Sequence, residues 1–273
     1  MILSVSHVTQ YRYRSPVRGV VQSHRLRPSQ FDGQRLLAWE VSVSGGLPGG
    51  GFRDGAGDWV QGYSVRGPVD VITVEVQGQV ETRDLAGLIS GHRETVPPEA
   101  YLRDTVATRA DAALAELSRF TVSGVSDALD RAHRLSAAVS EAIVYRPGVT
   151  QAQTTGAEAF SLGEGVCQDH AHALIAAARC AVLPARYVSG YMQSGDDAAA
   201  ADPSEAAHAW AEIFVPGLGW VGFDPANRCC PDARYIRLGS GYDAQDAAPI
   251  RGIARGTGAE SLDVTVAINA IQQ

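Results

Sequence analysis

A cysteine stands at the predicted start of a helix, directly after a glycine-rich stretch. The stretch reads Gly163-Glu-Gly-Val-Cys167, and the helix is predicted from about Gly165 to Cys180. The first backbone N–H groups of a helix are free and carry the positive end of its dipole, so they favour the thiolate, which is the nucleophilic form of cysteine. The same groups can stabilise an oxyanion. A nucleophile is one interpretation, and a small apolar residue near a helix start is the other.

A histidine and an aspartate lie on two strands that are predicted further along the chain. The alternation of residues 206–215 places His208 on one face of a strand. Asp224 ends the apolar strand 219–224. A carboxylate in that position could orient an imidazole, and the imidazole could take a proton from a thiol. The alternatives are a histidine that packs in the core and an aspartate that starts a turn.

Cysteine, histidine and aspartate follow one another as in a thiol protease, but the strand register opposes their meeting. A turn centred in the middle of Pro216–Gly219 pairs Ala211, rather than His208, with Asp224. A bulge, or a departure of the chain at the end of a strand, is therefore needed to bring the histidine and the aspartate together. The sequence leaves both alternatives open.

Two segments of the second half resemble the bacterial transglutaminase-like family of the papain-like superfamily: GVCQDHAHALIAAARCAVLPARYVSGY and AHAWAEIFVPGLGWVGFDPAN. The upstream stretch Tyr145-Arg-Pro-Gly-Val-Thr150 is also similar to that family. Residues near the beginning resemble the family's N-terminal β-domain: His7, Thr9, Tyr11, Tyr13, Pro16-Val17 and Leu26-Arg-Pro28. The resemblance departs at His170, where the family more often has an aromatic residue.

The resemblance implies a fold and a mechanism. The fold is an N-terminal β-sandwich followed by a papain-like, transglutaminase-like α+β catalytic domain. The implied catalytic triad is Cys167, His208 and Asp224. Its thiolate would attack an amide carbonyl and form an acyl-enzyme, and neither a metal nor a cofactor is expected to take part.

The fate of the acyl-enzyme separates the functional alternatives. Water would make the chain a peptidase or amidase, and an amine would make it a protein-glutamine acyltransferase. A peptide-binding module without turnover is a third alternative, against which the intact cysteine, histidine and aspartate argue. The acidic, alanine-rich segment 196–204 leads to His208 and suggests a wet rim, which favours hydrolysis. Family members often accompany peptide-ligating ATP-grasp-type proteins, which implies a small modified peptide as substrate.

Other polar residues have simpler predicted roles. Asp169, in the first turn of the same helix, is predicted to cap free N–H groups or to pair with an arginine. His170 and His172 could suggest a metal site, but their spacing from the cysteine is poor. The adjacent Cys229-Cys230 are predicted to be two inert thiols rather than a strained redox pair.

The elements that must position these residues divide into two predicted domains, residues 1–90 and 91–273. Alternating apolar residues and glycine-rich punctuation in the first domain predict a small β-sandwich. Its glycine-rich segment from Gly45 to Gly57 is predicted to be a long turn. Further strands are predicted at residues 18–27, 35–44, 57–67 and 69–81.

Helices precede strands in the second predicted domain, which is typical of an α+β fold. The helices are predicted at about 98–117, from Ser126 to Pro147, and at about 165–180. The strands are predicted at 185–193, 206–215 and 219–224, with a last strand at 262–268.

Composition argues against several classes of partner. The chain has 273 residues and a net charge of −7, and its 23 basic residues are all arginine. An acidic chain is poorly suited to bind nucleic acid or an anionic membrane. No apolar run approaches the roughly 18 residues of a membrane span, and the first residues lack the apolar core of a signal peptide. The expectation is a cytoplasmic protein with reduced thiols.

Overall fold

The structure, a computed structural model, describes residues 1–193, 207–256 and 259–271. The helices in those ranges are a 3-10 helix at Pro98–Leu102 and α1 (Ala112–Thr121), α2 (Ala128–Ala142), α3 (Gly156–Leu162) and α4 (Cys167–Cys180). The strands are β1 (Ile2–His24), β2 (Gln34–Val43), β3 (Gly46–Arg53), β4 (Trp59–Thr82), β5 (Val144–Tyr145), β6 (Glu164–Gly165), β7 (Ala185–Met192), β8 (Ala207–Val215), β9 (Gly219–Phe223), β10 (Tyr235–Gly241), β11 (Ile250–Ala254) and β12 (Glu260–Ala270). Across this described part of the chain, no helix is both long and apolar enough to cross a membrane.

Two long antiparallel strands, β1 and β4, form the centre of the N-terminal sheet. Alternate residues of β1, among them Leu3 and Val5, are buried, as the period-two pattern predicts. Register shifts between Arg12 and Gly19 divide the sheet into two halves. Strands β2 and β12 flank one half, and β3 and β11 flank the other. Val43 of β2 and Ala254 of β11 belong to different halves, yet both pack on the same apolar cluster. The two halves of this one connected sheet therefore form the two layers around that cluster.

The glycine-rich segment that was predicted to be a turn forms strand β3. It pairs with β4 from Gly46 opposite Val65 to Arg53 opposite Trp59. Nearly all of its residues are exposed, and glycine recurs along it. Neither alternation nor β-propensity therefore marks this strand in the sequence, because backbone pairing with β4 holds it. The prediction of a long turn from Gly45 to Gly57 is wrong for this reason.

The last two strands leave the second half of the chain and complete the N-terminal sheet. Strand β12 pairs antiparallel with β1 over Leu3–Tyr13, and β11 pairs with β1 over Val20–His24. The strand predicted at 262–268 is present, but it lies in the N-terminal sheet. Strands β11 and β12, which fall within the predicted domain 91–273, thus supply the hydrogen-bond partners for the second edge of β1.

The second sheet carries the candidate site, and helix α4 packs across it. Its antiparallel strands lie in the order β10-β7-β8-β9. The buried face of α4 is rich in alanine, so the helix can lie close to β8. Leu174 of α4 and Ile213 of β8 share the apolar core between them, and α1, α2 and α3 contact the other sides of α4. A strand-rich N-terminal region followed by this mixed half confirms the α+β fold class.

Capping aspartates explain two differences in helix boundaries. The helix predicted at 98–117 is a 3-10 turn followed by α1, which begins after Asp111, whose Oδ1 accepts a hydrogen bond from the Leu114 N–H (2.8 Å). Helix α2 begins one residue later than predicted, because Asp127 rather than Ser126 is its N-cap. In both helices the aspartate satisfies an N–H group that has no partner within the helix.

An ion network buried between the two sheets joins the halves of the molecule. Arg237 of β10 donates to Glu212 Oε1 (2.8 Å) and to Asp58 Oδ1 (2.6 Å). Arg186 of β7 donates to Glu212 Oε2 (2.6 Å) and also pairs with Glu94. Burial alone would raise the pKa of Glu212, but the two arginines outweigh it and lower that pKa to about 2. The carboxylate therefore stays ionised in a dry interior.

Removing one charge from this network is expected to destabilise the fold strongly. The variant Glu212→Gln leaves two buried arginines short of an anion, and losing one partner of a buried pair typically costs about 3–5 kcal/mol. Urea unfolding followed by circular dichroism measures the free energy of unfolding. The control Glu81→Gln, which breaks a solvent-exposed pair with Arg35, should leave the urea midpoint nearly unchanged. Equal midpoints for the two variants would contradict this expectation.

Candidate active site

The N-terminus of α4 follows a short parallel strand pair. Strands β5 and β6 pair Val144 with Glu164 and Tyr145 with Gly165, and the chain then enters the helix. Val166 is the N-cap, so Cys167 is the first helical residue. Its thiol is partly buried against the core and free of any disulfide. The thiol therefore lies at the helix end where backbone N–H groups lack helical partners.

Asp169 caps α4, as the sequence predicts. Its Oδ2 accepts hydrogen bonds from the Val166 backbone N–H (2.8 Å) and from the Thr150 hydroxyl (2.6 Å). The side chain is fully buried. A β-carbon on Gly165 would lie 2.8 Å from this side chain, so only glycine leaves room for the cap. The glycine-rich stretch thus positions Cys167 through Asp169.

His208 and Asp224 meet in a short hydrogen bond. His208 is the second residue of β8 and lies opposite Gly190 of β7. Its Nε2 is 2.6 Å from Asp224 Oδ2, and both side chains are almost completely buried. The Cys167 thiol raises the pKa of His208 through a side-chain hydrogen bond. Since Asp224 occupies Nε2, the other ring nitrogen is the one left to interact with this thiol. The three predicted residues are therefore brought to one place.

The structure resolves the register problem by a departure at the strand end. Ala211 lies opposite Phe223, one residue away from the predicted pairing with Asp224. The connection is a three-residue loop, and its Gly217 and the following Gly219 have φ values of 86° and 92°. Strand β9 ends at Phe223, and Asp224 has left the sheet. No bulge in the β8–β9 pairing is needed.

Two residues that the sequence analysis missed hold the Asp224 carboxylate. The Tyr235 hydroxyl and the Asn227 side-chain amide each donate to Asp224 Oδ2 at 2.8 Å. The Asn227 backbone N–H donates to Oδ1 at 3.2 Å. The Asp-Pro-Ala-Asn spacing is a turn signal that could have indicated Asn227. Tyr235 carries no local signal, because the later strand β10 brings it to the site.

These contacts set the charges of the pair. Burial would raise the pKa of Asp224, but hydrogen bonds from His208, Asn227 and Tyr235 outweigh it and lower that pKa. Burial would lower the pKa of His208, but Asp224 and Cys167 outweigh it and raise that pKa to about 10. The imidazolium therefore persists at neutral pH. Its contribution to folding stability is full below its unfolded pKa of 6.5 and is lost as the pH rises through about 10.

Two aromatic rings pack against the His208 ring. The Trp210 ring stacks 6.3 Å from the histidine ring, and the Tyr235 ring lies 5.9 Å away. A β-carbon on Gly190 would come within 2.6 Å of the Trp210 ring, so glycine opposite His208 allows the indole to lie flat on β7. Trp210 is 2% exposed. It is thus a core residue under the histidine rather than a wall of an open groove.

The remaining candidates lie away from the reacting groups. His170 lies within hydrogen-bond distance of the backbone carbonyls of Val166 and Ile143 through its two ring nitrogens. Burial lowers the pKa of His172 to about 4, and its Nε2 accepts from a backbone N–H. In the described ranges, no group of three acidic, histidine or cysteine side chains is arranged to hold a metal ion. Cys229 and Cys230 are free thiols. The predicted rim, residues 196–204, lies outside the described residues.

Two family models match the sequence. Residues 3–81 match the bacterial transglutaminase-like N-terminal region, and residues 115–225 match the transglutaminase-like superfamily. An uncharacterized protein of Mycobacterium leprae (strain TN) is 30% identical over 291 residues, which cover 98% of this chain and 99% of that protein. The chain belongs to the transglutaminase-like superfamily. All three residues of the candidate triad lie inside the second match.

A solved structure and a further relative are also similar to this chain. The crystal structure of a candidate cysteine protease from Cytophaga hutchinsonii covers 100% of this chain and 91% of its own, with a TM-score of 0.75 and 19% identity. That likeness establishes the fold. A protein-glutamine gamma-glutamyltransferase of Pseudomonas aeruginosa is 30% identical over 123 residues, which are 40% of this chain and 18% of that protein.

Proposed function

We propose that this chain is a thiol-dependent hydrolase of peptide or amide bonds. In this proposal Cys167 is the nucleophile, His208 is the general acid and base, and Asp224 orients and stabilises the imidazolium. The observation that carries the proposal is the His208–Asp224 hydrogen bond of 2.6 Å beside a cysteine at a helix N-terminus. The raised pKa of His208, about 10, adds support, because an imidazolium can give a proton to the leaving amine.

The first half of the proposed reaction forms the acyl-enzyme. The sulfur of Cys167 attacks the amide carbonyl carbon, and the carbonyl electrons move to oxygen. The Cys167 backbone N–H, which has no partner within α4, donates to that oxyanion. As the C–N bond breaks, His208 gives its proton to the leaving amine, which departs neutral. A thioester on Cys167 remains.

The second half returns the enzyme to its starting state. Neutral His208 takes a proton from water while the water oxygen attacks the thioester carbonyl. The C–S bond then breaks, the carboxylic acid leaves, and the thiolate and imidazolium are restored. Asp224 keeps Nε2 of His208 occupied throughout, so the other ring nitrogen always faces the reacting atoms. This chemistry uses only side chains and a backbone N–H of this chain, together with water.

Acyl transfer to an amine is the second candidate function. It is favoured by the similarity to the Pseudomonas aeruginosa protein-glutamine gamma-glutamyltransferase over 123 residues. The chain also has no lysine, so it could transfer acyl groups to proteins without modifying its own side-chain amines. Hydrolysis is preferred because water reaches any thioester that is not shielded.

The two functions are separated by the product. The enzyme is incubated with a library of glutamine-containing and other short peptides and an excess of a labelled primary amine. Free acid and amine adduct are then quantified by mass spectrometry. We expect free acid to dominate, and we expect the variant Cys167→Ser to form neither product. Dominant amine incorporation would replace the hydrolase proposal by the acyltransferase.

The proposal also covers the class of substrate, the partner and the cellular location. We infer a small peptide or amide as substrate and a peptide-ligating ATP-grasp-type system as the source of such peptides. A cytoplasmic location suits this proposal, because the four cysteines are free thiols. Nucleic acid and membranes are not proposed as partners, in keeping with the net charge of −7.

A further inference from the structure

A cavity of about 360 Å³ lies between helix α2 and the segment that follows strand β9. Helix α2 lines it with His133, Ser136 and Ser140, and the opposite segment lines it with Arg228 and Cys229–Cys230. Small-molecule sites typically measure about 300–1,000 Å³ and combine an apolar lining with a few convergent polar groups. The cavity meets both conditions.

This cavity is separate from the candidate active site, although the two share a wall. Cys167, His208 and Asp224 do not line it. The shared wall is Cys229, whose backbone carbonyl accepts from the Asp224 N–H (2.8 Å) and whose thiol lies 3.3 Å from the Tyr235 hydroxyl. A ligand in the cavity would therefore lie beside the triad without occupying it.

Arg228, an exposed residue, supplies a cation that lines this cavity. Its Nε donates to the Ser140 hydroxyl (3.1 Å), which holds the guanidinium against α2. Its two terminal nitrogens have no partner among the described residues. Its φ is 57°, in the left-handed region that a residue with a β-carbon rarely adopts. Such backbone strain persists only where the surrounding structure enforces it, and it concentrates at functional sites.

Glu141 supplies an anion at the same cavity. It follows Ser140 directly in α2, so it lies close to the residue that holds the Arg228 guanidinium. No ion pair joins Glu141 to Arg228 or to another cation within the described part of the chain. A cavity lined by one exposed cation and one exposed anion, neither in an ion pair within the described residues, is matched by a ligand that carries both charges a short distance apart.

Apolar groups form much of the remaining lining. The Phe223 ring forms one side, and the His133 ring stands edge-on to it with centroids 5.0 Å apart. Burial raises the pKa of the Cys229 and Cys230 thiols, so both stay neutral at physiological pH and act as small apolar groups. An apolar side chain on the ligand can occupy this part of the cavity.

We propose that this cavity binds a free amino acid with an apolar side chain. The carboxylate pairs with Arg228, the ammonium group pairs with Glu141, and the side chain packs on Phe223 and the cysteine pair. The proposal goes beyond the hydrolase function and does not depend on it, since no group of the triad takes part.

Calorimetric titration of the variant Cys167→Ser with matched probes tests this site without turnover. The probes are L- and D-phenylalanine, 3-phenylpropionate, which lacks the amine, and phenethylamine, which lacks the carboxylate. We expect one phenylalanine enantiomer to bind about tenfold or more tightly than either singly charged probe, because hydrogen bonds between charged groups are the strong ones. Equal affinity for all four probes, or no binding by any, would overturn the proposal.

Variants of the two charged residues show where the probe binds. Adding Arg228→Gln should abolish the advantage of phenylalanine over phenethylamine, and adding Glu141→Gln should abolish its advantage over 3-phenylpropionate. The control Arg134→Gln, on the exposed face of the same helix, should change neither. An unchanged affinity in both Arg228→Gln and Glu141→Gln would place the ligand elsewhere.

Protection of cysteine thiols from alkylation tests binding without substituting any residue of the cavity. In the Cys167→Ser variant, saturating phenylalanine should slow alkylation of Cys229 and Cys230 by iodoacetamide several-fold and leave Cys180 unaffected. Cys180 is exposed at the far end of α4, so it reports general effects on reactivity. Equal protection of all three thiols, or none, would contradict binding in this cavity.

Discussion

Replacing Cys167 with serine is expected to abolish turnover while leaving the fold intact. The substitution changes one atom at the start of α4, and serine is a much weaker nucleophile than a thiolate. Removing the nucleophile of a comparable triad lowers kcat by about 10⁶-fold. Product formation by mass spectrometry measures this loss. Thermal unfolding should give a midpoint within about 3 °C of the unmodified chain, since the change in the free energy of unfolding is expected to be small.

Cys180→Ser is the matched control, because it makes the same substitution at the last residue of the same helix. It should keep full activity. Mass spectrometry of a chain trapped with a slowly hydrolysed ester should also show one acyl group, located on the peptide that contains Cys167. Substantial turnover by Cys167→Ser, or acylation of another residue, would refute the covalent mechanism.

Replacing Asp224 with alanine is expected to lower kcat/KM by about 10⁴-fold, the loss typical for the orienting carboxylate of a triad. Without it, Nε2 of His208 loses its short hydrogen bond and keeps only the Asn227 amide at 3.2 Å, and the main source of the raised histidine pKa is gone. The Tyr235 hydroxyl and the Asn227 amide also lose their acceptor. The thermal midpoint should therefore fall, and it must be measured so that unfolding is not mistaken for lost catalysis.

Asp224→Asn separates orientation from charge. Its side chain can still hydrogen-bond to His208, but the negative charge is absent and the imidazole takes the wrong tautomer, so the rate should still fall by several orders of magnitude while the fold is kept. The pKa of His208 should fall from about 10, because the Asp224 contribution is removed while burial remains. In the pH profile of kcat/KM, the limb that reports deprotonation of His208 should move to lower pH. Identical profiles for Asp224→Asn and the unmodified chain would exclude Asp224 as the partner of the histidine.

The sequence predicted the parts of the site that depend on local pattern. The glycine-rich entry to α4 placed Cys167, and strand alternation placed His208. The distance between His208 and Asp224 could not be predicted, because it depends on a one-residue difference in hairpin register. Tyr235 was missed for a similar reason: strand β10, on which it lies, is separated from β8 by β7.

The fold, too, could be predicted from the sequence only where the local pattern is clear. Strands with clear alternation, such as β1 and β4, were anticipated from the sequence. Strand β3 was not, because glycine and exposed side chains remove the pattern. The buried ion network was also missed. Arg186, Glu212 and Arg237 look like ordinary strand-surface residues until the N-terminal sheet, with Asp58, closes over them.

The pairing of β1 with β11 and β12 has a consequence for synthesis on the ribosome. Strand β1 is made first, yet one of its edges receives its partners only when the last strands emerge. At translation rates of about 5–20 residues per second, that delay is roughly 12–50 s. For this time the nascent chain carries an open β1 edge, which is a template for intermolecular pairing. The N-terminal sheet is therefore completed only after residues 250–270 have been made, by a late, long-range closure.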